Sequence, residues 1–294
     1  AAPLRGHGTP VKEEILDLEV EAAKARLLVL RMLRTGQSGH LGGALSCLDI
    51  LTALYFRTMN VDPENPTDPR RDRFLLSAGH KAMAQYAVLA RRGYFAEDLL
   101  DSYGGFQSRL AGHPDMHKLP GVEANTGALG HGLAIASGMA LGLRLDGSDG
   151  RVFTLLGDGE LPEGSNWEGA SIAAHHQLNN LVAFVDVNDL QISGPTAEVM
   201  NMEPIADKFA AFGWTVRTID GNDMSNIVLA LDDTPLSSSA PTAIIARTIK
   251  AKGIRHLEGT AGSHYWKPSA AELDAAEDEL RQQLSTIAGK VGTH

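Results

Sequence analysis

Five short apolar stretches alternate along this chain with stretches of helical period, and this alternation limits the possible folds more than any other feature. The predicted strands cover residues 73–77, 151–156, 181–187, 214–219 and 242–249. Helical patterns lie between them, near residues 81–92, 133–145, 164–176 and 224–231. Strands that are apolar on both faces and alternate with helices predict an α/β fold, in which a parallel sheet carries helices on both faces.

Two further helices are predicted at the ends of this region. Thr9 is a suitable N-cap, Pro10 suits the first helical position, and Gly36 is expected to lie past the end of the first helix. The last helix is expected to start at Ser269, with Glu272 completing a capping box. With no internal repeat or linker in the sequence, residues 9–294 are predicted to form one domain, and residues 1–8 a flexible N-terminus or a cloning remnant.

Charge and cysteine content exclude several classes of protein. The 26 Lys and Arg residues against 36 Asp and Glu residues give a net charge of −10, which does not favour nucleic-acid or membrane-surface binding. The single cysteine, Cys47, is predicted to pack in the core, and it indicates a reducing compartment. The longest uncharged stretch, residues 124–143, contains five glycines and reads as a glycine-rich loop that leads into a buried helix. We therefore predict a cytoplasmic protein.

Polar residues follow two of the predicted strands at an interval typical of a metal site. Asp158 lies between two glycines after one strand, and Asn188 follows the next strand 30 residues later. The carboxyl ends of parallel strands meet at one edge of a sheet, so these oxygen ligands are expected to lie close together and to suit Mg²⁺ or Ca²⁺. Gly159 would let the backbone approach a phosphate. The usual dinucleotide, Walker-type and zincin motifs do not occur in the sequence.

This spacing resembles the diphosphate motif of thiamine-diphosphate enzymes, and GDGELPEG resembles its transketolase version. The resemblance implies a thiamine-diphosphate-binding fold. It also implies that Asp158, Asn188 and the Leu190 carbonyl ligate the metal, and that Gly159 contacts the diphosphate. Glu163 would lie at the junction with a pyrimidine-binding domain.

Other segments between residues 38 and 264 carry the same resemblance. SGHLGGALS, LSAGHKA and AGHPD supply His40, His80 and His113, and NTGALGHG places Gly127 and Leu129 beside the cofactor. RTIKAKG and GSHY supply Lys250 and His264. Two positions depart from the family pattern: Leu41 stands where proline is usual, and Tyr265 stands where glycine usually follows the last histidine.

The resemblance implies transfer of a two-carbon ketol unit from a ketose to an aldose, with hydroxyl protons moved by histidines. His40, His80, His113 and His264 are the predicted catalytic residues, and His80, His264 and Lys250 are also predicted to contact the cofactor. For His131, a structural hydrogen bond and a catalytic role are both open. No role is assigned to His117, His175, His176, His256 or His294.

A partner chain is also predicted. Only 30 residues follow His264, and they read as one charged helix. The pyrimidine-binding domain and its activating carboxylate are therefore expected on a separate C-terminal subunit, in an α₂β₂ assembly that is inactive without it. The uncharged region 124–143 is a candidate interface.

Several alternatives stay open at this point. Deoxyxylulose-phosphate synthases and the E1 components of oxo-acid dehydrogenases share the cofactor, and a dihydroxyacetone synthase-like or branched- or sulfonated-sugar ketol transferase is closer still. Outside this class, the chain would be a non-catalytic scaffold subunit, or a Mg²⁺-dependent phosphohydrolase that uses Asp158 and Glu163. Binding of thiamine diphosphate would separate the phosphohydrolase from the main hypothesis.

Overall fold

A five-stranded parallel sheet forms the centre of the molecule in the computed structural model, which describes residues 12–291. In chain order the strands are β1 Arg73–Leu76, β2 Val152–Gly157, β3 Leu181–Val187, β4 Leu190–Gln191, β5 Gly194–Pro195, β6 Thr215–Asp220 and β7 Thr242–Arg247. The main sheet has the order β1-β2-β3-β7-β6, while β4 and β5 pair separately as a small antiparallel hairpin. All five strands predicted from the sequence are therefore present, with ends that shift by two residues at most.

Ten α-helices surround the sheet in the described part of the chain. They are α1 Lys12–Gly36, α2 Leu41–Ser46, α3 Leu48–Ala53, α4 Ala82–Arg92, α5 Gly132–Leu145, α6 Gly164–His175, α7 Thr196–Val199, α8 Ile205–Ala211, α9 Met224–Asp232 and α10 Ala270–Ala288. A π-helical turn, Leu54–Thr58, follows α3, and 3₁₀ turns cover Gly79–Lys81, Glu97–Ser102, Asp158–Glu160 and Ala261–Ser263. The sequence did not predict α2, α3, α7 or α8, which are short.

One predicted helix start is confirmed, and one predicted helix end is wrong by one residue. Ser269 and Glu272 form the predicted capping box of α10. Gly36 is the last residue of α1 and not the residue past its end, so that prediction was wrong by one position. Thr9, Pro10 and residues 1–8 lie outside the described residues.

Helices cover both faces of the sheet, as predicted. Phe153 and Phe184 point to one side, into a core shared with α1–α4, α9 and α10. Val152 and Val185 point to the other side and pack against α5, α6 and α8. Full burial of each such side chain contributes about 1.5–3 kcal/mol, so the two apolar layers hold the sheet between them. Cys47 is buried in the first core, as expected of a packing residue.

The strand order reverses between β3 and β7, which places a crevice at their carboxyl ends. The chain fills β1, β2 and β3 side by side, then crosses to β6 at the far edge and returns through β7. The register aligns Gly157 with Asp186, and Asp186 with Ala246. Ligands of open α/β sheets bind at such a reversal, so this edge is the expected site. None of the described helices is long and apolar enough to cross a membrane.

Candidate active site

The first part of the site is the buried carboxylate of Asp158. It lies in the 3₁₀ turn directly after β2, where its two oxygens accept hydrogen bonds from the main-chain nitrogens of Gly159 (2.8 Å) and Asp189 (2.7 Å). The second bond ties the turn after β2 to the loop after β3. Burial, reinforced by the nearby Asp186, raises the pKa of Asp158 to about 6. A desolvated carboxylate of this kind gains most from a cation.

Asn188 and Leu190 lie next to this carboxylate in the loop after β3. The Asn188 side-chain oxygen accepts a hydrogen bond from the Leu190 nitrogen at 3.3 Å, and the Leu190 carbonyl oxygen accepts one from the Lys250 ammonium at 3.1 Å. The structure thus gathers the three predicted metal ligands and Lys250 at the ends of β2, β3 and β7. Burial lowers the pKa of Lys250 to about 8.

A second buried carboxylate, Glu160, joins three loops of the site. Its oxygens accept hydrogen bonds from the Ser77 hydroxyl (2.5 Å) and from the main-chain nitrogens of Gly130 (2.9 Å) and Gly157 (3.2 Å). These donors belong to the end of β1, the glycine-rich loop and the end of β2. Glu160 was not among the sequence-predicted site residues, although it directly follows the Gly-Asp-Gly motif.

The glycine-rich loop packs tightly against the predicted substrate side. Gly127 has φ +135°, and a β-carbon there would lie 2.7 Å from His113 Cδ2. Gly130 has φ +85°, and a β-carbon there would lie 2.4 Å from the Glu163 β-carbon. Both positions therefore require glycine for conformation and for space. Glu163 itself is exposed at the start of α6.

His131 makes a structural hydrogen bond within this loop. Its Nδ1 lies 3.1 Å from the carbonyl oxygens of both Ala128 and Leu129. Because both neighbours are acceptors, Nδ1 must carry the proton. Of the two roles left open by the sequence, this geometry favours the structural one.

The four motif histidines meet at one mouth of the crevice. The ring centroid of His40 lies 5.5 Å from that of His80, 5.8 Å from that of His113 and 5.4 Å from that of His264. His80 and His264 are also 5.5 Å apart. Four chain segments that are distant in sequence therefore supply one imidazole cluster.

Three of these imidazoles are held neutral at physiological pH. Burial lowers the pKa of His40, lowers that of His80 well below its usual value, and lowers that of His264 to about 4. The neighbouring Lys250 ammonium acts in the same direction on His264. A neutral imidazole both donates and accepts a hydrogen bond, which suits it to receive a hydroxyl proton.

The two departures from the family pattern lie beside His40. Leu41 is fully buried at the start of α2. Tyr265 is 55% exposed, its ring meets the His40 ring edge-on at 4.9 Å, and its hydroxyl lies 3.0 Å from the Ser38 hydroxyl. Tyr265 thus adds an aromatic wall at the mouth of the site that a glycine would leave open.

The chemistry of these groups fits a divalent metal with a diphosphate. Carboxylate, amide and carbonyl oxygens are the ligand types that Mg²⁺ and Ca²⁺ prefer. Among the described residues no cluster of three or more His, Cys, Asp or Glu side chains is arranged to hold a metal. Gln191, which packs on Gly159, has a buried side-chain oxygen without a hydrogen-bond partner. The crevice therefore contains a polar side-chain atom without a hydrogen-bond partner beside Gly159.

Comparison with known proteins decides the family. Residues 19–285 match the family described as transketolase, thiamine diphosphate binding domain. The chain belongs to the transketolase family. Thiamine diphosphate with a divalent metal is the cofactor set of this family, in agreement with the oxygen ligands at the crevice.

Similar proteins include both short and long transketolases. The chain is 39% identical over 274 residues to an apulose-4-phosphate transketolase subunit of Phocaeicola vulgatus, a match that covers 93% of this chain and 97% of the relative. It is 41% identical over 271 residues to the 6-deoxy-6-sulfo-D-fructose transketolase subunit SqwG of a Clostridium species, over 90% of this chain and 98% of the relative. The structure of transketolase from Leishmania mexicana superposes with a TM-score of 0.82 at 27% identity, over 93% of this chain and 45% of that one.

Three polar residues of this transketolase-family site escaped the sequence analysis. Glu160, Lys81 and Asp186 are all buried, and each makes its contacts across loops that are far apart along the chain. Lys81 was assigned only to the start of a helix, and Asp186 only to the end of a strand. A charged residue inside an otherwise apolar strand was the one signal that marked Asp186.

Proposed function

We propose that this chain is the diphosphate-binding subunit of a transketolase, which transfers a two-carbon ketol unit between sugars together with a partner subunit. One observation carries the proposal. The Lys250 ammonium contacts the Leu190 carbonyl oxygen at 3.1 Å and lies 3.4 Å from His264 Nδ1, so the metal side and the histidine side form one continuous site.

The residues have distinct roles in this proposal. Asp158, Asn188 and the Leu190 carbonyl hold the metal, and Gly159, Gly127 and Leu129 line the cofactor. When bound, thiamine diphosphate would supply the carbon nucleophile and the electron sink that cleavage of the ketose C–C bond requires. The chain's own contribution is to orient the sugar and to hold its hydroxyl protons on imidazoles that are neutral near pH 7.

The remaining proposed roles in the site belong to Lys250, His80, His264 and Glu163. The Lys250 ammonium would add positive charge beside the diphosphate, and His80 and His264 are assigned to contacts with the cofactor. His40 and His113 lie on the sugar side. Glu163, exposed at the start of α6, is placed at the contact with the pyrimidine-binding domain.

Replacement of His113 by alanine tests the division between the sugar side and the cofactor side. His113 is exposed at the mouth, and its only role in the proposal is toward the sugar. We expect turnover by the assembled enzyme to fall by about 100-fold or more, which is typical of losing a general acid–base group, while the affinity for thiamine diphosphate changes little. His117→Ala, at an exposed histidine of the same loop, is the matched control. A larger loss of cofactor affinity than of turnover would remove His113 from the sugar side.

The sugars are proposed at the level of class. The relatives described above are named for apulose 4-phosphate and for 6-deoxy-6-sulfo-D-fructose, which are a branched sugar phosphate and a sulfonated sugar. In this chain the mouth of the site also carries Tyr265 in place of glycine. These two observations favour a ketol transferase for a branched or sulfonated sugar as the second candidate, beside a transketolase for ordinary sugar phosphates.

This chain is proposed to form a single diphosphate-binding domain. The partner subunit is proposed to carry the pyrimidine-binding domain, and two copies of each chain would form an α₂β₂ assembly. The outer face of α5 supports a large interface. Leu145 is 78% exposed there, Ile135 and the neighbouring Ile172 of α6 are also exposed, and β-carbons at Gly138 and Gly142 would meet no atom within 4 Å. Exposed apolar side chains on a helix whose only charged residue is Arg144, in its last turn, are typical of a surface that another chain covers.

Reconstitution tests the proposed function. Ketol transfer from xylulose 5-phosphate to ribose 5-phosphate would be measured with thiamine diphosphate and Mg²⁺, using this chain alone, the chain encoded beside it, and the mixture. We expect activity only in the mixture, at a mass of two copies of each chain. Activity of this chain alone would contradict the need for a partner. If the mixture binds thiamine diphosphate but does not transfer the ketol unit between these two sugars, the proposed cofactor site is retained. The branched or sulfonated sugars are then the substrates to test.

A further inference from the structure

A buried ion pair between Lys81 and Asp186 lies beneath the proposed metal site. Lys81 is 1% exposed and Asp186 is 0% exposed. The Lys81 ammonium donates to Asp186 Oδ2, the Ser46 hydroxyl donates to the same oxygen at 2.5 Å, and the Thr248 hydroxyl donates to Oδ1. The carboxylate therefore receives donors from three separate segments, and its only ammonium partner in this group is Lys81.

The position of Asp186 connects this pair to the metal ligands. Asp186 is two residues before Asn188 on β3, and the sheet register sets it beside Gly157, which directly precedes Asp158. Two buried carboxylates, Asp186 and Asp158, thus lie at neighbouring strand ends. A second carboxylate without a cation of its own would compete for the metal, and burying it uncompensated would be strongly unfavourable.

The aliphatic part of the Lys81 side chain lies between the segments that contain His40 and His80. Lys81 ends the 3₁₀ turn that contains His80. A β-carbon at Gly43, three residues after His40, would lie 3.1 Å from the Lys81 Cγ and Cε atoms. Because Gly43 has no β-carbon, the methylene groups of Lys81 occupy that space. The Lys81 ammonium therefore contacts Asp186 and not solvent.

We propose that Lys81 is a positioning residue of the metal–diphosphate site, which engages Asp186 so that only Asp158, Asn188 and the Leu190 carbonyl present oxygen ligands to the metal. The inference rests on the function proposed above. In the same way the pair fixes the end of β3, which directly precedes Asn188, against the turn that contains His80. Lys81 contacts neither cofactor nor sugar in this assignment.

Binding of thiamine diphosphate and Mg²⁺ to the assembled complex tests this role, measured by isothermal titration calorimetry. Lys81→Met leaves Asp186 as an uncompensated anion, and we expect the dissociation constant for thiamine diphosphate at fixed Mg²⁺ to rise at least tenfold. The double variant Lys81→Met/Asp186→Asn removes both charges, and we expect its dissociation constant to return to within about threefold of the wild-type value. Lys118→Met, at an exposed lysine, is the matched control.

The outcomes separate this inference from the proposed function and from a purely structural role. A wild-type complex that does not bind thiamine diphosphate overturns the cofactor site itself. Wild-type affinity in Lys81→Met, with only a lower melting temperature, overturns the positioning role, and so does a double variant that binds as weakly as the single one. If Lys81→Met does not fold, Lys81→Gln keeps a hydrogen-bond donor without the charge, and wild-type affinity in that variant also overturns the proposal.

Discussion

Exchange of Asp158 for asparagine is expected to abolish Mg²⁺-dependent binding of thiamine diphosphate by the assembled enzyme, and to stabilise the cofactor-free protein. Asp158 is the carboxylate ligand in the proposed metal site, and an amide lacks the charge that draws a divalent cation into a buried position. The same charge is costly when no cation is present, because the carboxylate is almost fully buried. Function and stability should therefore change in opposite directions.

The sign of the stability change follows from protonation. Burial, with Asp186 adding to it, raises the pKa of Asp158 from 3.8 to about 6. Between these values the folded state keeps a proton that the unfolded state has released, so the free energy of unfolding falls as pH rises through this interval and stays lower above it. The linkage relation gives a cost of about 3 kcal/mol above pH 6. Asparagine removes this cost but has one acceptor oxygen for two N–H donors, which leaves a gain of about 1–2 kcal/mol.

Calorimetric titration and thermal melting of the complex without cofactor would measure the two effects. The melting temperature of Asp158→Asn at neutral pH should be a few degrees above the wild-type value, and near pH 4, where little of the burial cost remains, it should fall below the wild-type value. Asp149→Asn, at an exposed aspartate just before β2, is the control for the change in net charge. Wild-type cofactor affinity in Asp158→Asn would exclude Asp158 from the metal site, whereas a lower melting temperature at neutral pH would contradict the burial cost.

Exchange of Glu160 for glutamine is expected to destabilise the protein and to weaken cofactor binding together. All three partners of Glu160 are donors, namely the Ser77 hydroxyl and the Gly130 and Gly157 nitrogens. A glutamine must turn its NH₂ group toward at least one of them, and a buried donor without an acceptor costs about 1–3 kcal/mol. Because these donors lie on the loops that line the proposed cofactor site, we also expect the affinity for thiamine diphosphate to fall about tenfold.

Denaturant unfolding and cofactor titration of the complex would test this expectation for Glu160→Gln. Glu168→Gln is the matched control, since it makes the same chemical change at an exposed position of α6. If Glu160→Gln behaves like Glu168→Gln in both measurements, the three hydrogen bonds do not organise the loops. A loss of stability with unchanged cofactor affinity would limit Glu160 to a role in folding.

The sheet was predictable because its strands are marked locally. Leu181–Val187 is almost entirely apolar and is bounded by Asn180 and Asn188, so its limits follow from composition alone. The short helix α2 was missed because the segment Leu41–Ser46 contains two glycines, and glycine disfavours helices that packing does not support. Here full burial against the first core compensates for that low propensity.

The candidate site was predictable to the extent that motif residues lie close together in the sequence. Asp158 and Asn188 follow consecutive strands of the chain, so a parallel sheet brings them together whatever its remaining order. Glu160 and Lys81 were missed since each acts through residues on other strands, and an isolated Glu or Lys in a loop usually faces solvent. Nothing in the local pattern distinguishes Glu160 from the exposed Glu163 three residues later.

The strands, the main helices, the metal motif and the four histidines are predictable from the amino-acid sequence, because they depend on periodicity and on spacing along the chain. Which buried polar groups contact each other depends on the fold. Lys81 and Asp186 are 105 residues apart, and Ser77 and Glu160 are 83 residues apart. Such pairs form where the strand order and the crossovers bring loop ends together, and burial then makes each unpaired alternative too costly to persist.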